Sequence, residues 1–329
     1  MKNVVVIGSN SFSGSHFIDF LLQNTQYNVM GISRSEEQKD FYLPYKKQDL
    51  SRFEFHQLDL NKNMKAILKL LDQHKPKYVV NFSSQSEVGK SWEFPEHWYQ
   101  TNATSTVMLT RNLKERNYLK KYVHISTPEV YGSCTGSVKE NVALKPSTPY
   151  AGSRAAADIF IQMLVKNFNF PAVFTRAANV YGPGQQLFKI IPRSIIYLKK
   201  GKKVPLHGGG HAQRSFIHIR DVCSATLKIM EQANPGQVYN LSIGSLHSIR
   251  KLVGLICDKM GADFDESTIN VKTRRGLDDA YILDSTKAEK EFNWKPEIGI
   301  EEGIDEVITW VNNNWDDISK EPLEYAHKE

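Results

Sequence analysis

The chain has 329 residues, of which 40% are hydrophobic and 24% are charged. This composition is typical of an ordinary globular protein of one or two domains, and it excludes a fibrous repeat or a disordered tail. The net charge of +6 is too small for a dedicated nucleic-acid binder, although it suits a small anionic ligand. No apolar run reaches the ~18 residues that would span a membrane. The first residues lack the apolar stretch of a signal peptide, so we expect a cytoplasmic protein.

The cysteines indicate neither a disulfide scaffold nor a zinc site. Cys134, Cys223 and Cys257 are odd in number and far apart, without the paired spacing of metal ligands. We therefore expect three reduced thiols and no metal centre.

Strands and helices are predicted to alternate through the first half of the chain. The β-branched run Val4–Ile7 is typical of a strand buried on both faces of a parallel sheet. The next segment is helical, with an apolar face formed by Phe17, Ile18, Leu21 and Leu22. Further strands are predicted at 28–32, 53–58, 78–82, 122–125 and 172–175, and helices at 64–71, 102–116 and 149–168. This alternation implies right-handed crossovers and an α/β fold with a doubly wound parallel sheet of the Rossmann type.

The alternation breaks down after Ala178. Gly, Pro and His are frequent between 182 and 211, which predicts a smaller second lobe. The predicted elements beyond it are a helix at 221–231 with Asp221 as its N-cap, a strand at 238–241, and helices at 249–260 and 300–313. We therefore predict one domain over 1–178, to which residues 214–241 return, and a smaller C-terminal lobe over most of 179–329.

The turn after the first strand has the composition of a phosphate-binding loop. Gly8 and Gly14 occupy the first and last glycine positions of a dinucleotide-binding fingerprint. Ser11 stands at the middle glycine position, where its Cβ restricts the approach of a phosphate to the backbone. Backbone N–H groups at a helix N-terminus suit a pyrophosphate. We predict a dinucleotide site that includes Gly8, Asn10, Ser11, Phe12, Ser13 and Gly14; an ordinary tight turn is the alternative.

The end of the second strand bears on which dinucleotide binds. Ser33, Arg34 and Ser35 stand where an Asp or Glu would bind the ribose 2′-hydroxyl of NAD. The guanidinium of Arg34 can instead hold the 2′-phosphate of NADP through charge-assisted hydrogen bonds. We therefore favour NADP, with NAD as the alternative if Glu36 or Glu37 reaches the ribose.

Two later segments carry a resemblance to a known family. Residues 124–132 read HISTPEVYG at the end of the fifth strand, and residues 149–154 read PYAGSR at the start of the long helix. Together with the first turn, they resemble the extended short-chain dehydrogenase/reductase family, in particular its sugar-nucleotide epimerases and dehydratases, over nearly the whole chain. That family uses a Ser or Thr, a Tyr, and a Lys four residues after the Tyr. Thr127 and Tyr150 match this set, whereas Arg154 stands at the Lys position.

Tyr150 and Arg154 are four residues apart, so they share one face of a helix. A free tyrosine has a pKa near 10 and is a poor base at neutral pH. A cation within ~4–6 Å lowers such a pKa by about 1–3. Arginine keeps the charge of lysine but is bulkier and planar, so the bonds that lysine makes to the nicotinamide ribose need not be preserved.

Glu129 bears on the reaction. In the 4,6-dehydratases that this segment resembles, a Glu removes the C5 proton of the sugar, and many have an Asp before it that protonates the leaving C6 hydroxyl. Pro128 cannot do so, which makes the GDP-mannose branch the nearer resemblance. Uronate decarboxylases also keep the Glu. The resemblance therefore implies a 4,6-dehydratase, with an epimerase, a uronate decarboxylase or a non-catalytic NAD(P)-binding sensor as alternatives.

The resemblance also implies ligand contacts and an assembly. Further cofactor contacts are expected from Asp59, Leu60, Phe82, Ser83 and Ser84, beside Tyr150 and Arg154. Contacts with a nucleotide-diphosphate sugar are expected from Gln85, Ser86, Glu87, Asn179, Lys189, Arg214 and Arg274. Guanidinium groups such as those of Arg214 and Arg274 suit diphosphate oxygens. Members of the family often form homodimers through two helices of each subunit, here 102–116 and 150–168.

Overall fold

The structure of the protein is a computed structural model, which describes residues 3–134, 136–272 and 282–328. Its strands are β1 (Asn3–Ile7), β2 (Asn28–Ser33), β3 (Phe53–Gln57), β4 (Tyr78–Asn81), β5 (Lys121–Ile125), β6 (Ser137–Val138), β7 (Ala172–Ala177), β8 (Asn179–Tyr181), β9 (Val204–His207), β10 (Gln213–Arg214), β11 (Phe216–His218), β12 (Val238–Leu241), β13 (His247–Ser248), β14 (Thr268–Val271) and β15 (Ile282–Leu283). Its helices are α1 (Phe12–Asn24), α2 (Met64–His74), α3 (Pro95–Trp98), α4 (Thr106–Leu113), α5 (Pro149–Phe168), α6 (Ile190–Lys199), α7 (Ile219–Gln232), α8 (Ile249–Lys259), α9 (Phe264–Ser267), α10 (Thr286–Phe292), α11 (Ile300–Asn313) and α12 (Trp315–Ile318).

Seven of these strands form one sheet in the order β12-β7-β5-β4-β1-β2-β3. Every neighbouring pair in it is parallel. Val4, Val5 and Val6 of the central β1 are at most 1% exposed, as expected for a strand covered on both faces. The strand order reverses between β1 and β4, and a crevice for a ligand opens at the carboxyl ends of strands at such a point. The predicted α/β fold with a doubly wound parallel sheet is confirmed.

Each face of the sheet is covered by helices. On one face, Phe17 and Leu21 of α1 and Ile229 of α7 pack into the same apolar core as Val4 and Val6. On the other face, the core is formed with side chains of α2, α4 and α5, namely Ile67, Leu109 and Ile161. The alternating strand and helix pattern therefore buries apolar side chains on both sides, which leaves polar groups to collect at the strand ends.

A second apolar core lies outside this sheet. It is formed by α6, α8 and α11, through Ile191, Ile195, Leu252, Ile256, Ile304 and Val307. Short strand pairs flank it: β8 with β11 and β9 with β14 are parallel, and β10 with β13 is antiparallel. β12 does not belong to this core, because it pairs with β7 at the edge of the main sheet.

The helix predicted at 102–116 has a different form. Its first part, Tyr99–Ser105, is π-helical, and only Thr106–Leu113 is an α-helix. The side chain of Asn102 is fully buried there and donates to Gln85 O and to Ser153 Oγ, both at 3.0 Å. A widened turn of this kind is frequent at functional sites. We attribute it here to these tertiary hydrogen bonds, which the sequence pattern does not reveal.

The prediction that Asp221 caps a helix is wrong. α7 begins at Ile219, and its N-cap is His218, whose ring accepts a hydrogen bond from the Arg220 N–H at 3.4 Å. The carboxylate of Asp221 instead accepts hydrogen bonds from the N–H groups of Glu297 at 3.0 Å and Ile298 at 3.2 Å. Asp221 therefore joins α7 to the segment that precedes α11.

None of the described helices is long and apolar enough to cross a membrane. The three cysteines are free, with Cys223 and Cys257 buried. Across the described part of the chain, no three His, Cys, Asp or Glu side chains are grouped as metal ligands.

Candidate active site

The turn between β1 and α1 needs glycine at two positions. Gly8 has a φ of +84°, and a Cβ there would lie 2.6 Å from Ser83 N at the end of β4. A Cβ on Gly14 would lie 2.3 Å from Gly8 O. Ser11 does not need to be glycine, because its φ is −72° and it is the N-cap of α1. Its Oγ accepts from the Gly14 N–H at 3.0 Å and donates to Gly8 O at 2.7 Å, so the hydroxyl closes the turn.

An open groove with an empty volume of about 850 Å³ runs along this turn at the carboxyl edge of the sheet. It brings together most of the predicted cofactor residues: Gly8, Asn10, Ser11, Ser33, Arg34, Ser35, Asp59, Leu60, Phe82, Ser83 and Ser84. Other lining residues that the sequence did not single out are Gln38, Asn61, Thr101 and Lys328. The other predicted cofactor residues are not among the lining residues: Phe12, Ser13 and Gly14 belong to the first turn of α1, and Tyr150 and Arg154 belong to α5. The groove is therefore built from the ends of β1, β2 and β4.

Asn10 fastens the first turn to the loop after β2. Its Nδ2 donates to Ser35 O at 2.9 Å and to Glu36 O at 2.7 Å, and Gln38 Nε2 donates to Asn10 O at 2.8 Å. Asn10 Oδ1 is buried and has no hydrogen-bond donor within the described chain. A buried acceptor without a donor costs about 1–3 kcal/mol. It therefore suits a ligand that brings hydroxyl groups into the groove, as a dinucleotide ribose does.

The carboxylates near the end of β2 do not line the groove. Glu37 accepts from the Tyr45 hydroxyl at 2.7 Å and pairs with Lys46 at 2.7 Å, and Glu36 is exposed. Arg34 is half-buried and lines the groove. Among the described residues at the end of β2, Arg34 is thus the only formally charged residue that lines the groove.

The predicted catalytic residues lie at the end of β5 and the start of α5. Thr127 is the N-cap of a 3₁₀ turn, Pro128–Tyr131, and its Oγ1 accepts from the Glu129 N–H at 3.3 Å. The turn ends at Gly132, where φ is +68° and a Cβ would lie 1.9 Å from Lys145 O. Tyr150 is nine-tenths buried at the start of α5, and its hydroxyl hydrogen-bonds with the side chain of Thr127. The structure therefore brings Thr127, Glu129 and Tyr150 together.

Electrostatics at Tyr150 differ from the expectation. Burial, followed by the nearby carboxylate of Glu129, raises the pKa of Tyr150. The charge of Arg154 and the hydrogen bond with Thr127 lower the pKa, as expected, but they do not outweigh the first two effects. Within the protein alone, Tyr150 is therefore a neutral phenol at neutral pH, and a further positive charge is needed to favour the tyrosinate.

Arg154 is not a surface residue, since it is 1% exposed. Its Nη2 donates to Ile125 O at the end of β5 and lies 3.4 Å from His124 Nε2. Burial, together with the neighbouring guanidinium groups, lowers the pKa of His124 well below its usual value, so the ring is neutral. Nε and Nη1 of Arg154 are buried and have no acceptor in the described part of the protein. Two unused donors on a buried cation suit the hydroxyl groups of a bound ribose.

Asp158, four residues after Arg154 on α5, is a buried carboxylate that the sequence analysis did not predict. Asp158 is 2% exposed, pairs with Arg176 at 2.8 Å, lies 3.4 Å from His124 Nε2 and accepts from Ser126 Oγ at 2.8 Å. Tyr150, Arg154 and Asp158 are spaced four residues apart, so they lie on one face of α5. This spacing could have indicated from the sequence that Asp158 lies near the other two.

The predicted substrate residues of the segment 85–87 lie near Asn102 and Lys189. Gln85 is held by Asn102, whose Oδ1 accepts from the Gln85 N–H at 2.8 Å. Near it, Glu87 pairs with Lys189 of the second lobe at 3.4 Å, so two predicted substrate residues bind one another. Ser86 is exposed beside them.

Two other predicted substrate residues lie on short strands outside the main sheet, Asn179 on β8 and Arg214 on β10. Asn179 Nδ2 donates to Ser215 O at 3.0 Å, and the half-buried Arg214 donates to Gln213 O at 2.6 Å. Arg274 lies outside the described residues. Asn179 therefore donates to the link between β10 and β11, and one guanidinium nitrogen of Arg214 donates to the backbone of β10.

Comparisons with known proteins show the family of the chain. A sequence model of the GDP-mannose 4,6 dehydratase family matches residues 5–307. A mouse dTDP-D-glucose 4,6-dehydratase is 30% identical over 321 residues, which cover 95% of this chain and 90% of the mouse protein. A Streptomyces antibioticus dTDP-glucose 4,6-dehydratase is 34% identical over 248 residues, 74% of this chain and 73% of that protein.

Solved structures give the same result. The dTDP-glucose 4,6-dehydratase of Bacillus anthracis in complex with NAD superposes with a TM-score of 0.88 and 28% identity, over 96% of this chain and 98% of that one. The UDP-glucuronic acid 4-epimerase of Bacillus cereus, in complex with UDP-glucuronic acid and NAD, superposes with a TM-score of 0.86 and 25% identity, over 94% of this chain and 99% of that one. The fold and site define an enzyme of the NAD-dependent sugar-nucleotide dehydratase and epimerase class. Within that class, the chain belongs to the sugar-nucleotide 4,6-dehydratase family of the extended short-chain dehydrogenases/reductases.

The buried guanidinium of Arg154 leads to a prediction about cofactor binding. Arg154→Met keeps an unbranched side chain but removes the charge and the two unused donors. We expect it to weaken dinucleotide binding about ten-fold, the scale of one charge-assisted hydrogen bond. We expect Arg154→Lys, which keeps the charge, to retain most of the affinity. Calorimetric titration with NAD and NADP measures both.

Lys166→Met is the matched control, because Lys166 is exposed on the same helix. It should leave dinucleotide affinity unchanged. Thermal melts of all three variants show whether any loss of affinity reflects unfolding. A folded Arg154→Met variant with wild-type affinity for both dinucleotides would show that Arg154 serves only the packing of α5 on β5.

Proposed function

We propose that the protein is a sugar-nucleotide 4,6-dehydratase that converts a nucleotide-diphosphate hexose into its 4-keto-6-deoxy form. The observation that carries the proposal is the juxtaposition of Thr127, Glu129 and Tyr150, in which Glu129 is close enough to raise the pKa of Tyr150. A carboxylate beside the Tyr provides a second base for a second proton. The names of the mouse and Streptomyces antibioticus relatives support the same reaction.

The groove fits a nicotinamide dinucleotide. The backbone of Gly8 and the N-terminus of α1 suit its pyrophosphate, and Asn10 Oδ1 and the free donors of Arg154 suit its ribose hydroxyls. When bound, the nicotinamide would accept a hydride from C4 of the sugar and later return it to C6. Its positive charge would also favour the tyrosinate form of Tyr150, which the protein alone does not do.

The remaining chemistry falls to three side chains. Thr127 holds the sugar O4 beside Tyr150, and Tyr150 takes the proton of the C4 hydroxyl as C4 is oxidised to a ketone. The ketone acidifies C5, and Glu129 takes the C5 proton. Pro128 offers no acid, so Glu129 must pass this proton to the C6 oxygen, which leaves as water. The hydride would return to C6, C5 takes a proton that Glu129 relays from water, and Tyr150 releases the proton of the C4 hydroxyl to water, which completes the 4-keto-6-deoxy sugar.

A panel of UDP-, dTDP-, GDP- and CDP-hexoses, with products identified by mass spectrometry, tests the proposal. A product lighter by one water supports a dehydratase. Loss of carbon dioxide from a uronate supports a decarboxylase, and an isomer of unchanged mass supports an epimerase. An absence of any product from the whole panel would support the non-catalytic sensor.

The two bases are separated by comparing Glu129→Gln with Tyr150→Phe. Glu129→Gln keeps the size of the side chain but cannot accept the C5 proton, so C4 oxidation proceeds and reduced cofactor accumulates. Tyr150→Phe blocks the first proton transfer, and a loss of about 10³-fold is the scale for a general base. Absorbance of the reduced nicotinamide and solvent-deuterium incorporation at C5 report the two steps. Unchanged dehydration by Glu129→Gln, or a product that keeps its C6 oxygen, would contradict the mechanism.

The same variant has a predicted pH dependence. Because the Glu129 carboxylate raises the pKa of Tyr150, Glu129→Gln should lower that pKa. The tyrosinate then forms at lower pH, so the rise of the cofactor-reduction rate with pH should move to lower pH than for the wild-type first step.

We further propose that NADP is preferred to NAD. Arg34 lines the groove at the end of β2, whereas Glu36 and Glu37 do not. A guanidinium suits the 2′-phosphate, while a carboxylate at this position would bind the ribose of NAD. The Bacillus anthracis and Bacillus cereus enzymes were solved with NAD, so the preference is a property to be tested on this chain.

Arg34→Ala is expected to weaken NADP binding by about ten-fold or more, as one charge-assisted contact with a phosphate is lost, and to leave NAD binding nearly unchanged. Lys47→Ala, at an exposed lysine outside the groove, is the control for a general change of charge. Calorimetry with both dinucleotides measures the effect. Tighter binding of NAD than NADP by the wild type would reverse the assignment.

Finally, we propose a homodimer through α4 and α5. These helices pack against one another and expose the large apolar side chains of Met108, Ile159 and Met163. Ile159 and Met163 are four residues apart and so form a continuous stripe on α5. Two copies of this face would bury one another in a symmetric four-helix interface, as in the homodimers of the family that the sequence resembles.

The dimer is tested by Ile159→Glu with Met163→Glu. Light scattering after size-exclusion chromatography should give a dimer for the wild type and a monomer for the double variant, because four glutamates would face one another across the interface. Val142→Glu, at an exposed apolar residue away from both helices, should remain a dimer. A monomeric wild type at micromolar concentration would contradict the proposal.

A further inference from the structure

The segment 321–328 runs in an extended form after α12, and its side chains alternate between two environments. The half-buried ones are Glu321, Leu323, Tyr325 and His327, and the exposed ones are Pro322, Glu324, Ala326 and Lys328. This period of two is that of an extended chain with one face against a surface. We call this segment the strap.

One end of the strap is fixed to the second lobe. Leu323 packs against the apolar core of α6, α8 and α11. Glu324 lies 3.4 Å from Arg193 of α6, and the ring of Tyr325 meets that of Phe188 edge-on at 5.4 Å. These contacts carry the strap up to the start of α6, where the predicted substrate residue Lys189 lies.

The other end is fixed to the main-sheet domain. The ring of His327 is nearly parallel to those of Phe94, His97 and Trp98, with centroids 5.0–5.1 Å apart. His327 Nε2 and His97 Nδ1 are hydrogen-bonded at 2.8 Å. The strap therefore crosses from one lobe to the other, and stacking and hydrogen bonding hold its far end.

Next to the His327 anchor, the strap binds a residue that was predicted to face the substrate. Gln85 Nε2 donates to Lys328 O at 2.5 Å, while Asn102 holds the backbone of Gln85 in place. Lys328 also lines the dinucleotide groove. The amide donor of Gln85 is thus already satisfied by the protein itself.

Tyr325 interacts electrostatically with one residue of each predicted ligand site. Burial and the carboxylate of Glu87 raise the pKa of Tyr325, and the guanidinium of Arg34 lowers it, so its hydroxyl is within electrostatic reach of both. Glu87 is itself paired with Lys189 at 3.4 Å. The strap therefore contacts Gln85 directly, and it reaches the Glu87–Lys189 pair through the electrostatic effect of Glu87 on Tyr325 and through the ring of Phe188, which precedes Lys189 in the chain.

We propose that the strap, residues 321–328, is an autoinhibitory segment that covers the sugar-nucleotide cleft and must leave it before a nucleotide-diphosphate sugar binds at Gln85, Glu87 and Lys189. This inference rests on the proposed function of the same site. Its physical basis is competition, because the strap takes an amide donor of Gln85 that the ligand would use and places Tyr325 against Phe188, the neighbour of Lys189 in the chain. The apparent affinity for substrate is then reduced by the fraction of molecules in which the strap is seated.

The test releases the strap by the double substitution Tyr325→Ala with His327→Ala in the full chain. Calorimetry measures binding of UDP, dTDP, GDP and CDP. If the strap is seated nine-tenths of the time, its release tightens binding of the preferred diphosphate about ten-fold. Ala326→Ser, whose side chain faces away between the two, should bind as the wild type does. A second measurement uses the wild type alone: saturating diphosphate should speed tryptic cleavage after Lys320, because the strap is displaced.

Each outcome decides the question. Tighter binding by the double variant, or binding by it alone, supports the strap. Equal or weaker binding by a variant that melts like the wild type overturns it while leaving the proposed function intact. Slower tryptic cleavage with ligand also overturns it, since the strap would then close over the ligand. If neither protein binds any of the four diphosphates, the proposed function fails and the strap as a competitor of sugar nucleotides fails with it.

Discussion

The packing of α5 against the carboxyl end of β5 is the constraint on which the site depends. One face of this helix presents Tyr150, Arg154 and Asp158 to β5, and all three are buried. Charges in such a place must be paired, because an isolated buried ion is far costlier than a solvated one. Asp158 is paired with Arg176, and His124 is kept neutral, which leaves Arg154 with part of its hydrogen-bonding capacity unused. The helix therefore holds one incompletely satisfied cation beside the tyrosine.

This arrangement explains why the protein alone does not prepare Tyr150 as a base. The cation lowers the pKa of Tyr150, but burial and Glu129 raise it more. These opposing effects on the pKa of Tyr150 suit a site in which the tyrosinate is needed only while a ligand is bound. In the proposed mechanism, the phenol stays neutral until the positive charge of a bound nicotinamide changes the balance, so the base would form only when the cofactor is in place. Arg154, at the position where the family has Lys, keeps the positive charge. Its Nη2 donates a hydrogen bond to Ile125 O, which anchors α5 to β5.

Local signals in the sequence predict the helices and strands of the main sheet. Features that depend on contacts between residues distant in the chain are not predicted by such signals. α5 has the predicted bounds because Thr148 caps its start, Pro149 suits the first turn, and Asn169 ends it in the left-handed conformation with φ of 54°. The π-helical stretch depends instead on Asn102, whose partners are 17 and 51 residues away in the chain.

The same distinction holds for the polar groups of the site. Asp221 had the composition of a cap, but its partners lie 76 and 77 residues further along the chain, and no local pattern shows them. Ser11 was predicted to restrict phosphate binding through its Cβ. The structure shows that its hydroxyl closes the turn, a role that the N-cap preference of serine could have indicated. The roles of the site residues remain predictions from the family resemblance, because the structure fixes their positions and partners and not their chemistry.

The departures from the family pattern lie close together, and their physical effects point the same way. Pro128 removes an acid beside Glu129, Arg154 replaces a mobile ammonium by a guanidinium fixed to the backbone, and Glu87 turns Lys189 from a free cation into a paired one. With each change, the site without a ligand has one fewer side chain that is free to act as an acid or as a mobile cation. In the proposed function, Lys189 would have to separate from Glu87 before it binds a diphosphate. The two lobes are thereby joined by side-chain contacts across the cleft, and a ligand that enters must replace these contacts with its own. In the proposed function, a ligand that offers both a diphosphate to Lys189 and hydroxyl groups to Gln85 would compensate for these contacts, whereas a ligand with only one of the two would not.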